Sequence, residues 1–187
     1  VVIPESVTSI GESAFSDCSN LTIYCKATSQ PSGWSSDWNY DDRPVYWGIS
    51  KDDIITTNGI QYVIKDGKAI VTRYVGNDAN VEIPSTIEKD GVTYNVTSIG
   101  LSAFWNCSSL TSIIIPEGVT RIEDYAFCNC SSLISIVIPE GVTIIGACAF
   151  SHCVSLKSVV IPEGVMSIGE FAFDLAKDTN QLVHRLT

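Results

Sequence analysis

A repeat with a period of 23 residues limits what this chain can fold into more than any other sequence feature. From Ile115 onward, the dipeptides Ile-Pro and Ala-Phe both recur at that step. Two single-residue columns keep the same step: Cys107, Cys130 and Cys153, and Leu110, Leu133 and Leu156. Because several independent positions share one period, the pattern predicts a solenoid in which each repeat forms one coil.

One unit of the repeat reads Cys130-x-x-Leu133-x-x-Ile136-x-Ile138-Pro139-x-x-Val142-x-x-Ile145-Gly146-x-x-Ala149-Phe150. The alternation that ends at Ile138 predicts a short strand with one buried face. Pro139 and Gly141 occupy positions that suit a type I turn, and Gly146 predicts a second bend. A lone coil of this size cannot bury enough apolar surface to fold, so the coils must stack.

These residues resemble the BspA-type leucine-rich repeat family, also called the Treponema pallidum type, whose unit carries the Cys-x-x-Leu, Ile-Pro, Ile-Gly and Ala-Phe elements. The resemblance covers residues 1–24 and roughly 54–173. It implies a β-rich solenoid, a right-handed coil with a parallel sheet on its concave side and short turns, 3-10 turns or helical pieces on the convex side. It also implies a bacterial or protist surface protein with an adhesive or recognition role.

The loss and return of the repeat predict the domain organisation. We expect a terminal repeat of a first run at 1–25, an aromatic-rich cap or connector at 26–48, and a β-hairpin segment that opens a second run at 49–97. Regular coils follow at 98–173, and 174–187 forms a terminal cap or a frayed tail. Within the third segment, Asp66-Gly67 and Asp90-Gly91 predict the turns of two hairpins.

The last segment carries apolar residues at helical spacing, which predicts a short helix closing the stack. These residues are Leu175, Leu182, Val183 and Leu186. A frayed tail is the alternative.

The segment at 26–48 holds Trp34, Trp38 and Trp47, three of the 4 tryptophans of the chain. A cap that buries its aromatic rings is one interpretation. The other is a carbohydrate-binding platform, since indole faces suit sugar rings. Burial or exposure of the three rings separates the two.

Seven cysteines first suggest a disulfide framework, but the repeat gives them another role. Cys18, Cys107, Cys130 and Cys153 share one slot, and equivalent Cβ atoms of stacked coils lie too far apart for a bridge. We predict a buried column of reduced thiols. Three further cysteines lie outside the slot, and a disulfide among them stays open: Cys25, Cys128 and Cys148.

Catalysis and metal binding lack the residues that they need. The chain has 2 histidines, His152 and His184. Cys153 belongs to the inward column whereas His152 should face outward, so no reachable nucleophile pairs with a base. A compact set of four zinc ligands is also not visible. We therefore expect no enzyme activity, no cofactor and no metal.

A row of glutamates follows from the Pro-Glu-Gly turn of each coil: Glu117, Glu140 and Glu163. Solvated turn residues are the simpler interpretation, because carboxylates about 5 Å apart in water repel each other by only about 0.8 kcal/mol. Weak calcium binding across the row is the alternative.

The outward side chains of the predicted concave strands are the candidate partner-binding residues. Ile114, Val137 and Val160 form an apolar stripe, beside a second column of Thr111, Ile134 and Lys157. One interpretation is simple strand propensity. The other is a contact surface for a protein or glycan, since contiguous exposed apolar area often marks binding.

Composition narrows the function further. With 11 Lys+Arg against 21 Asp+Glu, the net charge of −10 argues against nucleic-acid binding. No apolar run approaches the ~18 residues of a membrane-spanning helix. We expect a fragment, without signal or anchor, of an extracellular or cell-surface protein.

The sequence therefore predicts a non-catalytic recognition or adhesion module that binds a protein or glycan, such as host extracellular matrix, through its concave sheet. Three alternatives stay open: a structural spacer in a surface protein, a sugar-binding module that uses the tryptophans, and end-to-end self-association of exposed solenoid ends.

Overall fold

A computed structural model describes residues 1–18, 20–174, 176 and, for the backbone, 183–185. The chain divides into two compact units, Val1–Ile54 and Ile55–Thr187. Each unit has its own hydrophobic core.

The first unit contains a parallel three-stranded sheet in the order β1 (Val2–Ile3), β2 (Ile23–Cys25) and β3 (Val45–Trp47). A 3-10 helix at Lys51–Asp53 follows, with Ser50 as its N-cap. The aromatic-rich segment therefore contributes a strand to the repeat sheet, because β3 pairs with β2 in parallel register.

The second unit contains a parallel five-stranded sheet whose central strands come from successive coils. Its order is β16 (Val183–Arg185), β14 (Ser158–Ile161), β12 (Ser135–Val137), β10 (Ser112–Ile114) and β7 (Asn80–Glu82). Ser112 pairs with Ser135, and Ser135 pairs with Ser158. The sequence period therefore equals one step between neighbouring strands, as the solenoid prediction requires.

An eight-stranded sheet covers the other side of the same core. Its main path runs through β15 (Ser167–Ile168), β13 (Ile144–Ile145), β11 (Arg121–Ile122), β9 (Val92–Ile99), β6 (Lys68–Tyr74), β5 (Ile60–Lys65) and β4 (Ile54–Thr57). The eighth strand, β8 (Thr86–Lys89), pairs with β9 off this path.

The two predicted Asp-Gly turns each join a pair of antiparallel strands. Asp66 and Gly67 have φ angles of 52° and 72°, and Asp90 and Gly91 have 53° and 76°. Two consecutive positive φ angles define the tight turn that matches strand twist. The hairpins β5–β6 and β8–β9 follow from these turns.

Backbone hydrogen bonds link the turns of neighbouring coils on the remaining side. The amides of Tyr125, Phe127 and Asn129 donate to carbonyl oxygens one coil later, at 2.9, 2.8 and 2.8 Å. The same three bonds recur from Ser102, Phe104 and Asn106, and from Cys148, Phe150 and His152. The side that the family resemblance assigns to turns or helical pieces therefore consists of hydrogen-bonded turns.

A column of stacked rings runs through the core of the second unit and explains the Ala-Phe element. The centroids of Phe104 and Phe127 are 5.1 Å apart, and those of Phe127 and Phe150 are 5.2 Å apart. Tyr74 and Phe173 extend the column at its two ends. Because each ring packs against the rings of the neighbouring coils, the stacking couples the stability of one coil to that of the next.

Gly146 lies between β13 and the turn at 147–150, where the bend is predicted, and the Ile-Gly element also has a steric cause. A Cβ atom at Gly146 would collide with the backbone nitrogen of Asp124, and one at Gly169 would collide with the backbone of Ala147. Neither glycine has a positive φ angle. Glycine is required here because two coils approach closely, and the Ala147 amide donates to Asp124 Oδ1 at 2.7 Å at the same place.

The predicted closing helix is wrong where the structure describes it. Val183–Arg185 form strand β16, which pairs in parallel with β14 as a further strand of the five-stranded sheet. The physical reason is that β14 offers unpaired backbone groups, which a strand satisfies and a helix does not. Leu175, Leu182 and Leu186 lie outside the described residues.

We expect Gly146→Ala to lower the free energy of unfolding by about 1–3 kcal/mol, the usual cost of overpacking. Gly11→Ala is the matched control, because Gly11 fills the same repeat slot and no heavy atom lies within 4 Å of where its Cβ would be. Urea unfolding of both variants measures the difference. Equal effects of the two substitutions would contradict close coil packing at this slot.

A second prediction concerns Tyr62, whose side chain is fully buried while its hydroxyl has no hydrogen-bond partner among the described residues. Tyr62→Phe should raise the free energy of unfolding by about 1 kcal/mol, because it removes an unsatisfied buried group. Tyr74→Phe should lower it by about 1 kcal/mol, since the Tyr74 hydroxyl donates to Asp78 Oδ2 at 2.9 Å. Calorimetry of both variants tests the opposite signs, and a loss of stability in Tyr62→Phe contradicts the account.

Candidate recognition surface

The five-stranded sheet turns one side chain inward and the next outward along each strand. Ile113, Ile136 and Val159 are buried, as the alternation predicts. Their outward neighbours Ile114, Val137 and Val160 are 61%, 75% and 43% exposed. We call these three the apolar row. Its register is set by the strand pairing, in which Val137 lies opposite Val160.

Two further rows flank the apolar row on the amino-terminal side of the strands. One consists of serines: Ser112, Ser135 and Ser158. The other is the predicted second column, in which Thr111 is half-buried, Ile134 is 43% exposed and Lys157 is exposed. Thr111 Oγ1 donates to the Ala79 carbonyl oxygen at 2.8 Å, so this hydroxyl is already used within the fold.

The glutamate row lies at the carboxyl end of the same strands. Glu117, Glu140 and Glu163 are exposed on the predicted turns, which are closed by bonds such as the Val142 amide to the Pro139 carbonyl oxygen at 3.0 Å. Glu82 pairs with Ile114 on the neighbouring strand and is also exposed. Within the described residues, no group of three or more histidine, cysteine, aspartate or glutamate residues could hold a metal ion.

All seven cysteines are free thiols, and two of the four in the predicted column, Cys130 and Cys153, are buried in the core. Cys130 Sγ donates to the Phe104 carbonyl oxygen at 3.1 Å, and Cys153 Sγ donates to that of Phe127 at 3.2 Å. Hydrogen bonds with the neighbouring thiols and burial raise the pKa of Cys130. The Cys130 thiol therefore stays protonated and donates to the Phe104 carbonyl oxygen of the preceding coil.

The predicted burial is wrong for Cys18, which is exposed, and Cys107 is only partly buried. The carbonyl that accepts from each buried thiol belongs to a residue 26 positions earlier. Cys107 departs from this pattern, since its Sγ donates to the Trp105 carbonyl oxygen of its own turn at 4.0 Å.

The residues considered for catalysis do not come together. His152 is exposed and its Nδ1 lies 2.8 Å from Ser151 Oγ, whereas Cys153 is fully buried. A substrate cannot reach that thiol. Cys128, outside the column, has a pKa that burial raises to about 11, which leaves it a poor nucleophile at neutral pH.

The tryptophans of the first unit form a cluster in its core. Trp34 and Trp38 are 5% and 3% exposed, with ring centroids 4.8 Å apart, and Trp47 is half-buried beside them. Trp34 Nε1 donates to the Val7 carbonyl oxygen at 3.1 Å. This burial favours the cap interpretation, because a sugar ring has no open face of Trp34 or Trp38 on which to stack.

Sequence reasoning missed further exposed apolar side chains that lie outside the five-stranded sheet. Met166 is 81% exposed, Phe171 is 66% exposed and Tyr125 is 44% exposed. Tyr125, Cys148 and Phe171 share one repeat slot and have φ angles of 57°, 53° and 57°. The period could have revealed this column, but a left-handed conformation at bulky residues gives no sequence signal.

No helix of the described residues is long and apolar enough to cross a membrane. The apolar row and the glutamate row repeat on neighbouring strands of the five-stranded sheet and remain open to solvent. A binding partner that lies along the solenoid could contact both rows.

Comparison with known proteins agrees with this architecture. The BspA type leucine-rich repeat region matches residues 1–30 and 79–183, in 6 copies. The search of curated proteins gave no match.

Several solved structures are similar to the chain. A leucine-rich repeat protein from Bacteroides ovatus has 34% identity and a TM-score of 0.63, over 70% of this chain and 37% of its own length. One from Bacteroides capillosus has 28% identity and a TM-score of 0.65, over 72% and 99%. The leucine-rich repeat protein of T. pallidum has 31% identity and a TM-score of 0.51, over 64% and 66%. These matches confirm the predicted fold class, and the chain belongs to the BspA-type leucine-rich repeat family.

Proposed function

We propose that this chain is a recognition module of a surface or secreted bacterial protein, and that it binds a protein partner through the outward face of the five-stranded sheet. Leucine-rich repeat arrays are generic protein-interaction modules and are generally non-enzymatic, and BspA-type members are typically surface or secreted proteins. Adhesion to host extracellular matrix is the specific role that we propose.

The exposure of the apolar row is the observation that carries this proposal. Three apolar side chains on adjacent strands, led by Val137 at 75% exposed, form a contiguous patch on a rigid sheet. Such a patch gains free energy when a partner removes it from water, at about 25 cal/mol per Å². Binding by shape and apolar contact needs no catalytic group.

The rigidity of the patch also favours binding of a partner. Its backbone is fixed by strand pairing on both sides of β12, where Ser135 pairs with Ser112 and with Ser158. The inward neighbours on the same strands are packed in the core, since Ile136 and Val159 are 5% and 1% exposed. A preorganised surface loses little conformational entropy on binding, which favours affinity.

We expect Val137→Asp to leave folding nearly unchanged and to weaken partner binding at least about tenfold, because it places a charge in the centre of the contact. Met166→Asp is the matched control, since Met166 is 81% exposed but lies outside this sheet. Both variants and the unchanged chain are tested against an array of purified extracellular matrix proteins and glycans. Circular dichroism melting verifies that both variants fold.

Loss of binding to a matrix protein in Val137→Asp, with retention in Met166→Asp, is the result that we expect. A ligand that binds both variants equally would show that the sheet face is not the contact. Binding to glycans alone would show that the partner is a sugar and not a protein.

A further inference from the structure

The rows of the five-stranded sheet have a spacing and a charge distribution that select one kind of protein segment. We propose that the partner presents a basic amphipathic α-helix, which lies along the apolar row and across the strands, with lysine or arginine side chains toward the glutamate row. This inference rests on the proposed function, because it specifies the partner of the same surface.

The spacing of the apolar row favours a helix over an extended peptide. Successive coils are separated by about 5 Å, as the ring centroids at 5.1 and 5.2 Å show. Two coil steps therefore span about 10 Å, and two turns of an amphipathic helix bring residues i and i+7 about 10.5 Å apart. An extended strand places alternate side chains about 6.8 Å apart, or about 13.6 Å over two steps. The helix stays in register with Ile114, Val137 and Val160, whereas the extended strand does not.

The charges around the apolar row are one-sided. Three exposed carboxylates lie on its carboxyl-terminal flank, those of Glu117, Glu140 and Glu163, and the exposed Glu82 lies at one end of the row, opposite Ile114. On the opposite flank, Thr111 and Ile134 are uncharged and Lys157 carries a positive charge. A helix with cations on one flank therefore has one favoured orientation on the sheet, and the opposite orientation brings like charges together.

The distances allow this contact. Each turn glutamate follows its apolar-row residue by three positions, so it lies at most about 10 Å along the chain from it. A helix with its side chains is about 10–12 Å across. When its apolar face rests on the row, the long side chains of its flank reach the glutamates while their stems cover apolar surface.

The test uses a stapled helical peptide of about 15 residues, with leucine at i, i+3, i+4 and i+7 and lysine on one flank. Two matched peptides accompany it: one with glutamate on the same flank, and one with the lysine peptide's composition in scrambled order. Fluorescence anisotropy measures their affinities for the full chain at low and at physiological salt.

Four variants of the full chain locate the contact. Val137→Ser removes apolar surface and Glu140→Lys reverses one charge of the row. Met166→Ser and Glu88→Lys are the matched controls, since both residues are exposed and lie outside the five-stranded sheet.

We expect the lysine peptide to bind at least about tenfold more tightly than either matched peptide. Its affinity should fall about tenfold in Val137→Ser and at least about threefold in Glu140→Lys, with the control variants within about twofold of the unchanged chain. Rising salt should weaken binding, because exposed charges are screened.

Equal affinity of the lysine and scrambled peptides, absence of binding, or equal binding by Val137→Ser and Met166→Ser would each overturn the helix inference. That failure is distinguishable from failure of the proposed function. If a matrix protein binds Val137→Asp more weakly and the peptides do not bind at all, the recognition surface is supported and the helical partner is excluded.

Discussion

The contact between one coil and the next is the constraint on which the rest of this structure depends. Each coil of the second unit donates backbone amides to its neighbour on the turn side and pairs its strand on the sheet side. Between these two layers, the phenylalanine rings stack at 5.1 to 5.2 Å. None of these interactions exists within an isolated coil, so stability belongs to the stack.

The same constraint creates the surface. A core that repeats every coil fixes Ile113, Ile136 and Val159 inward, and the strand period of two then holds their neighbours outward in a row. The turn that closes each strand adds a glutamate at a fixed offset. The surface therefore does not depend on a dedicated binding loop. A substitution at one repeat position of one coil changes one position of a continuous surface.

Much of this architecture could be predicted because it follows from periodicity. The alternation around Ile113 and Ile114 predicts which of the two side chains is buried, and the Asp66-Gly67 pair predicts the position of a hairpin turn. What the sequence did not reveal depended on contacts between distant residues. The steric requirement for glycine at position 146 reflects the backbone of Asp124, and the strand at Val183–Arg185 reflects the open edge of β14. A single sequence also cannot show that Trp34 is buried, because burial depends on how its segment folds over Val7.

Native-state hydrogen exchange tests the central claim of coil-to-coil coupling most directly. The amides of Phe104, Phe127 and Phe150 each donate to the next coil at 2.7 or 2.8 Å. Coupled coils predict that these three amides exchange slowly and share one opening free energy, close to that of unfolding the whole second unit. Rapid exchange of the three amides, or three widely different opening free energies, would contradict it.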